Sequence, residues 1–361
     1  MKARDEYNRE IRRQRALLND LLLEYENSTK EEKKRRLLAG AAVVGAYIKR
    51  YGNLFLTGKQ VPVLESCDLS RCFEESFRSL SLLKVTCLQT LPSGEFFAAG
   101  DLLRAYRCFE MAVEACLFDL VCVWIHVREN GETAFLLMDF ACDTDLSTCR
   151  AEADGFSFED GTYRLMVRLQ RGERQMHLPE HASQDTGQID LLQMKSRLHD
   201  RMNLSLAAIR QILQKDEVTS EDSAVLRRFC HAVSLPEKVP QKEDLSELFQ
   251  DAALCGMEIR ITGELPKEEE LLQPVLLVLR EAMVNAARHA NASVLYVEII
   301  RREGMVELHV TNDGKLPETD MMPQGGLLDL QRRITAAGGV LKLKSRPVFE
   351  LTAALPEGVE S

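Results

Sequence analysis

One stretch near the C-terminus constrains this chain most. From Leu271 to Ala290, apolar Val275, Leu279, Met283 and Ala286 recur at helical spacing, while Glu281, Asn285 and Arg288 stand at i, i+4 and i+7. The two sets fall on different sides of one helix, with His289 close to the polar set. Such a helix lies on a sheet and turns chemical groups outward. Asparagine is a modest helix former, so Asn285 needs another reason to be there. Its amide oxygen is a hard ligand suited to Mg²⁺, and Arg288 and His289 could meet phosphate oxygens. A solvated polar face is the plain alternative, so this helix alone decides nothing.

Its surroundings alternate strand and helix. Periodicity predicts a helix at Leu245–Leu254, a strand at Glu258–Gly263, and strands at Val294–Arg301 and Met305–Thr311. A helix at Gly326–Ala337 and strands at Val340–Ser345 and Phe349–Leu355 complete a mixed α/β domain over 242–357. Asn312-Asp313-Gly314 follows a strand directly, and its glycine lets backbone approach a flat ligand. Gln324-Gly325-Gly326-Leu327-Leu328-Asp329-Leu330 opens a helix whose N–H groups could hold phosphate. Each motif is weak alone.

Together, in this order, they resemble the catalytic ATP-binding domain of sensor histidine kinases, within the gyrase-like (Bergerat, GHKL) ATPase superfamily. The carrying text is Arg280-Glu-Ala-Met-Val-Asn-Ala-Ala-Arg-His-Ala290, then Val310-Thr-Asn-Asp-Gly314, then the Gly325-Gly326-Leu327 helix start with Arg332, Arg333 and Gly338-Gly339. The resemblance implies Asn285 as the Mg²⁺ ligand, with Glu281 beside it in the catalytic set. It puts Arg288 and His289 near the phosphates, Asn312, Asp313 and Gly314 at adenine, and Gly325, Gly326 and Leu327 in the ATP lid. Two departures stand out. Asn312 replaces the usual first Asp of the adenine turn, and Leu316 replaces its last glycine. The lid from Lys315 to Gln324 is also short.

Upstream, Leu191–Lys215 and a second helix opened by Ser220 and Glu221 read as a helical hairpin over 187–236, closed by Pro236. Its apolar stripe could pair with another copy as a four-helix bundle. His199-Asp200 stands on the flank of the first helix. A reachable histidine beside a carboxylate suits phosphoryl acceptance, because the carboxylate can take the ring proton. Arg197-Leu-His-Asp-Arg-Met202 resembles the phosphoacceptor box of the His-Asp subfamily, with Met202-Asn203 where the family often has Leu-Gly.

The first half echoes the second. Asp68-Leu-Ser-x-x-Phe73 matches Asp244-Leu-Ser-x-x-Phe249, and Glu110 and Glu114 fall where Glu281 and Asn285 fall. Residues 61–178 then form a degenerate ATPase-like domain, lacking the magnesium Asn, an adenine-turn glycine after Phe140, and the Gly-Gly lid. Residues 30–60, around the helix Arg36–Phe55, stand for its hairpin. Residues 1–29 read as a signalling or coiled-coil helix with Tyr7, Ile11, Leu18, Leu21 and Tyr25 on the seam and Gln14 as the break. A single amphipathic helix packed on its own domain fits equally. A polar linker is expected at 171–188.

The expected fold class is α+β, a helical-hairpin dimerisation domain plus a mixed α/β sandwich, preceded by a degenerate copy of both. The net charge of −10 argues against nucleic acid as a partner. Ten scattered cysteines without a C-x-x-C pair read as reduced thiols of a cytoplasmic protein. Met1–Arg15 lacks a signal-peptide core, and the apolar run Leu37–Ile48 is too short to span a bilayer. A membrane domain upstream in the native protein stays open. The resemblance implies a homodimer through the hairpin, ATP and Mg²⁺ as cofactors, and a response-regulator receiver domain as partner. Two alternatives stay open beside the kinase: a kinase-like scaffold that transfers nothing, and an ATPase in which Glu281 activates water.

Overall fold

The computed structural model describes residues 2–130, 133–173, 186–218, 222–233, 244–302, 304–316, 326–346 and 349–357. It is a mixed helix and sheet structure of the α+β class. The chain divides into two compact units: Met1–Met202 with Ile212–Glu237, and Asn203–Gln211 with Lys238–Ser361.

The first unit begins with α1 (Lys2–Glu10), α2 (Arg12–Asn27) and α3 (Glu31–Gly58). The expected first helix is broken at Ile11, and its seam does not wait for another chain. Tyr7, Ile11, Leu18, Leu21 and Tyr25 are all buried within the unit. Helix α3 explains the apolar run Leu37–Ile48: every residue from Leu37 to Lys49 is buried, so this helix is apolar all round because it is surrounded. Lys49 is the charged exception; its Nζ meets Glu75 Oε1 at 2.5 Å, and Arg50 pairs with the other oxygen.

Next come β1 (Val63–Glu65), α4 (Ser66–Leu80), β2 (Thr86–Thr90), β3 (Phe96–Ala98), α5 (Ala99–Ala115), β4 (Cys122–Asn130), β5 (Thr133–Ala141), β6 (Gly155–Glu159) and β7 (Thr162–Leu169). Strand β6 lies within the polar stretch Arg150–Asp160. It is an edge strand, half-exposed at 155–157 and exposed at Phe158 and Glu159, so no buried alternation marks it. The five-stranded sheet runs β2-β4-β5-β7-β6, with β2 and β4 parallel across the α5 crossover and every other pair antiparallel. Strands β1 and β3 form a small separate antiparallel pair.

Helix α6 (Thr186–Gln214) starts inside the expected linker, most of which lies outside the described residues; α7 (Ser223–Ala232) follows. The expected helix opening at Ser220-Glu221 and the stop at Pro236 also fall outside them. Within the first unit, α7 and the described flanks of α6 pack on α2 and α3. Gly45 of α3 has no room for a side chain because the Phe229 ring of α7 lies on it, and Gly52 meets Leu198 of α6 and Tyr7 in the same way. Arg227 of α7 pairs with Glu26 of α2 at 2.6 Å, and Cys230 Sγ contacts the Leu18 carbonyl.

The second unit holds α8 (Leu245–Leu254), β8 (Glu258–Thr262), α9 (Glu269–Asn285), β9 (Val294–Arg302), β10 (Met305–Asn312), α10 (Gly326–Ala336), β11 (Val340–Lys344) and β12 (Glu350–Pro356). Asp244 caps α8 by accepting from the N–H groups of Ser246 and Glu247. The sheet runs β8-β9-β10-β12-β11, with β8 and β9 parallel across α9 and the rest antiparallel. Strand for strand, this is the order and sense of the first sheet. Alternating inward residues such as Val306, Leu308 and Val310 meet Val275, Leu279 and Met283 of α9 and Leu327, Leu330 and Ile334 of α10 in one core.

All ten cysteines are free thiols, and no described helix is long and apolar enough to cross a membrane.

Candidate active site

Helix α9 supplies the centre of the site. Its apolar side is fixed in the core, which turns Glu281 and Asn285 away from it; both are half-buried. Asn285 Nδ2 donates to Glu281 Oε1 at 2.8 Å. With its nitrogen so held, the Asn285 carbonyl oxygen becomes the outward acceptor of the amide. Behind the pair, Arg280 is nearly buried and meets Asp251 of α8 at 3.1 Å, which ties α9 to α8.

The helix does not continue unchanged to Ala290. At Ala286–Ala290 it widens into a π-helical turn and ends on Asn291, whose φ of 50° is left-handed. The i, i+4, i+7 face therefore holds only as far as Asn285. Arg288 and His289 sit in the widened turn, both exposed.

The turn after β10 lies against that π turn. A Cβ on Gly314 would fall 2.5 Å from the Ala290 carbonyl oxygen and 2.6 Å from its Cβ. Lys315 N–H donates to the Ala290 carbonyl at 2.8 Å. Asn312 Oδ1 accepts from Gly314 N–H at 2.9 Å, so this side chain shapes its own turn. Asp313 faces the start of β9, accepting from Ser293 N–H and Val294 N–H at 2.8 Å each and from Ser293 Oγ at 2.6 Å. Those bonds, the Ser293 hydroxyl foremost, hold its carboxyl below the usual range. Asp313 thus pins the turn to β9.

At the other side of α9, the start of α10 abuts the same pair. A side chain on Gly326 would collide with both carboxylate oxygens of Glu281. Gly326 is exposed, while Leu327 is buried in the core, so Leu327 anchors the helix start. Gly325 and the lid residues 317–324 lie outside the described residues. Glu281, Asn285, the 312–314 turn and Gly326 are therefore brought around one end of α9, with Arg288 and His289 on its π turn.

The donor chemistry fits Mg²⁺. Among the described residues no cluster of three His, Cys, Asp or Glu could form an all-protein cage. A single oriented amide oxygen is the kind of ligand Mg²⁺ takes beside phosphate oxygens and water.

His199 and Asp200 belong to the first unit. His199 Nδ1 lies 3.6 Å from Asp200 Oδ1, with side chains 29% and 16% exposed. Leu198 and Met202 are buried beside them, which leaves His199 on the flank of α6.

Sequence reasoning missed the Ser293–Asp313 clamp, the Gly314–Ala290 contact and the Gly326–Glu281 contact. Each joins residues far apart in the chain by packing, and no spacing rule links them. A cavity of about 380 Å³ also opens on the first sheet beside Trp124. There Arg164 grips Asp139 at 2.6 and 2.9 Å, so the central charges answer each other.

No family model matches the chain, and no curated protein matches it. Histidine kinases are among the solved structures similar to it. The histidine kinase domain of the Erythrobacter litoralis EL346 blue-light activated histidine kinase is 16% identical over 45% of this chain and 74% of that one, with a TM-score of 0.28. The longer EL346 structure is 13% identical, covering 71% of this chain and 83% of that one, again at 0.28. The Acinetobacter baumannii histidine kinase AdeS is 16% identical over 46% of this chain and 97% of that one, also at 0.28. Likeness of this degree says nothing of what the present chain does.

Proposed function

We propose that this chain is a protein histidine kinase that moves the γ-phosphoryl group of ATP to His199 and then to an aspartate of a response-regulator receiver domain. The observation that carries the reading is the oriented Asn285–Glu281 pair, set between the start of α10 at Gly326 and the Asn312–Gly314 turn. The motif resemblance and the His199-Asp200 pair support it.

The residues divide the work. Asn285 would hold Mg²⁺, which neutralises phosphate charge when bound. Glu281 orients the Asn285 amide. The backbone of Gly326 at the start of α10 offers its N–H group to phosphate oxygens, and Arg288 adds positive charge and His289 its ring nitrogens from the π turn. The 312–314 turn receives adenine through its close-packed backbone, with the second lone pair of Asn312 Oδ1 still able to accept from the adenine amino group.

For His199, the nitrogen toward Asp200 is Nδ1, so Nε2 is the attacking atom. Its lone pair forms the N–P bond, and the bond from phosphorus to the bridging oxygen breaks with its electrons leaving on ADP. The Nδ1 proton passes to Asp200.

The test incubates the purified chain with radiolabelled Mg·ATP beside His199→Ala. Acid-labile label on the parent alone is the expected result. ATP turnover without any phosphoprotein would favour the ATPase reading, in which Glu281 activates water. Nucleotide binding with neither product would favour a kinase-like scaffold.

A further inference from the structure

The two sheets share strand order, strand sense and the site of the one parallel crossover. The match extends upstream. A hairpin, a short helix and then the sheet occur twice, as α2–α3 with α4 and as α6–α7 with α8. The sequence assigned only Arg36–Phe55 to the first hairpin, but α2 is its other arm.

Within the first unit, α7 and the described flanks of α6 are packed on the α2–α3 hairpin. Phe229 of α7 and Leu198 of α6 fill the spaces that Gly45 and Gly52 leave on α3. Leu226, Phe229 and Val233 are fully buried, as are Leu18 and Tyr25 of α2. Arg35 of α3 donates to the carbonyls of Leu213, Lys215 and Asp216, which are the acceptors a helix end leaves open. Among the described residues of the first unit, Leu198 of α6 and Leu226, Phe229 and Val233 of α7, which a kinase hairpin would show to a second copy, are therefore already covered here.

The first sheet's counterpart of the site is closed as well. Glu110 and Glu114 of α5 stand four residues apart near the helix end, as Glu281 and Asn285 do on α9. Helix α2 lies over them. Arg13 Nε and Gln14 Nε2 each meet Glu114 at 2.7 Å, and Gln14 is buried. Glu110 is 1% exposed and neither of its carboxyl oxygens has a hydrogen-bond partner among the described residues. A buried carboxyl pair under a helix leaves no path for a nucleotide.

We propose that the chain is an internal duplication that serves as its own dimer partner. Hairpin α2–α3 takes the place of a second copy's hairpin, and the first sheet is a nucleotide-free half held shut by α2. The working unit is then one chain with one ATP site and one phosphoacceptor. This replaces the homodimer that the sequence led us to expect; its catalytic part rests on the kinase reading, its pairing does not.

Two measurements on the full chain test it. Light scattering on the eluting protein should give one chain, 40.8 kDa, at every concentration. A species of twice that mass persisting on dilution would overturn the proposal whether or not the protein takes up label. Mixing His199→Ala with Asn285→Ala should restore no label, because the ATP site of one chain does not serve the histidine of another. Recovered label would overturn the single-chain unit while upholding the kinase.

Discussion

Asn285 Nδ2 donates to Glu281 Oε1 at 2.8 Å, while the corresponding residues of the first unit, Glu114 and Glu110, make no such bond. The same helix position carries an oriented amide in one unit and a buried, closed carboxyl pair in the other.

Glu281 acts on Mg²⁺ through Asn285. Glu281→Ala frees the amide to turn, and the apparent Mg²⁺ affinity should fall by roughly 10- to 100-fold, as when an outer partner of a metal ligand is lost. The check is labelling of His199 titrated with Mg²⁺. High Mg²⁺ should restore the label. A Mg²⁺ titration unchanged from the parent would remove Glu281 from this role.

Gly314 is packed against Ala290. Gly314→Ala pushes a methyl group into the Ala290 carbonyl oxygen, 2.5 Å away. Overpacking of this kind costs about 1–3 kcal/mol. Denaturant unfolding should show that loss in the second unit, and ATP titration should show weaker binding because the turn is displaced. Unchanged stability and affinity would mean that the turn has slack.

Burial, and then the charge of Glu114, push the Glu110 carboxyl well above its ordinary range. The folded state therefore keeps a proton that the unfolded chain gives up once the pH exceeds the usual carboxylate pKa. Stability of the first unit falls as pH rises through that window. Glu110→Gln stays neutral throughout. It should raise the thermal midpoint at pH 8 and change it little at pH 4. Equal effects at both pH values would show that Glu110 is charged in the fold.

Gly45 admits Phe229 onto α3. Gly45→Ala places a Cβ inside the ring and should destabilise the bundle by about 1–3 kcal/mol, because the ring must shift within a packed core. Phe229→Leu in the same chain should return part of the loss, a coupling that a double-mutant cycle measures. Strict additivity would separate the two residues.

The sequence by itself determined the periodic elements of the second unit. Leu245–Leu254 is a helix with the bounds its pattern implied, and the strands after it fall within a residue or two of theirs. It also singled out Glu281 and Asn285, because a polar pair four residues apart on a sheet-covering helix is a local pattern. The echo between Asp68–Phe73 and Asp244–Phe249 pointed to the repeated arrangement that the two sheets display.

Local pattern could not carry the rest. The π turn at Ala286–Ala290 interrupts the helical spacing before Arg288, and edge strand β6 had no buried alternation to betray it. The motif alone put Asp313 at the ligand, and its bonds to Ser293, twenty residues earlier, are a tertiary matter. The seam from Tyr7 to Tyr25 read equally as a coiled coil or as a helix on its own domain, since an apolar stripe states only that it will be covered. What covers it is a tertiary matter. Gly45 and Gly52 let Phe229 and Leu198 in, and the chain's own helices fill the seam.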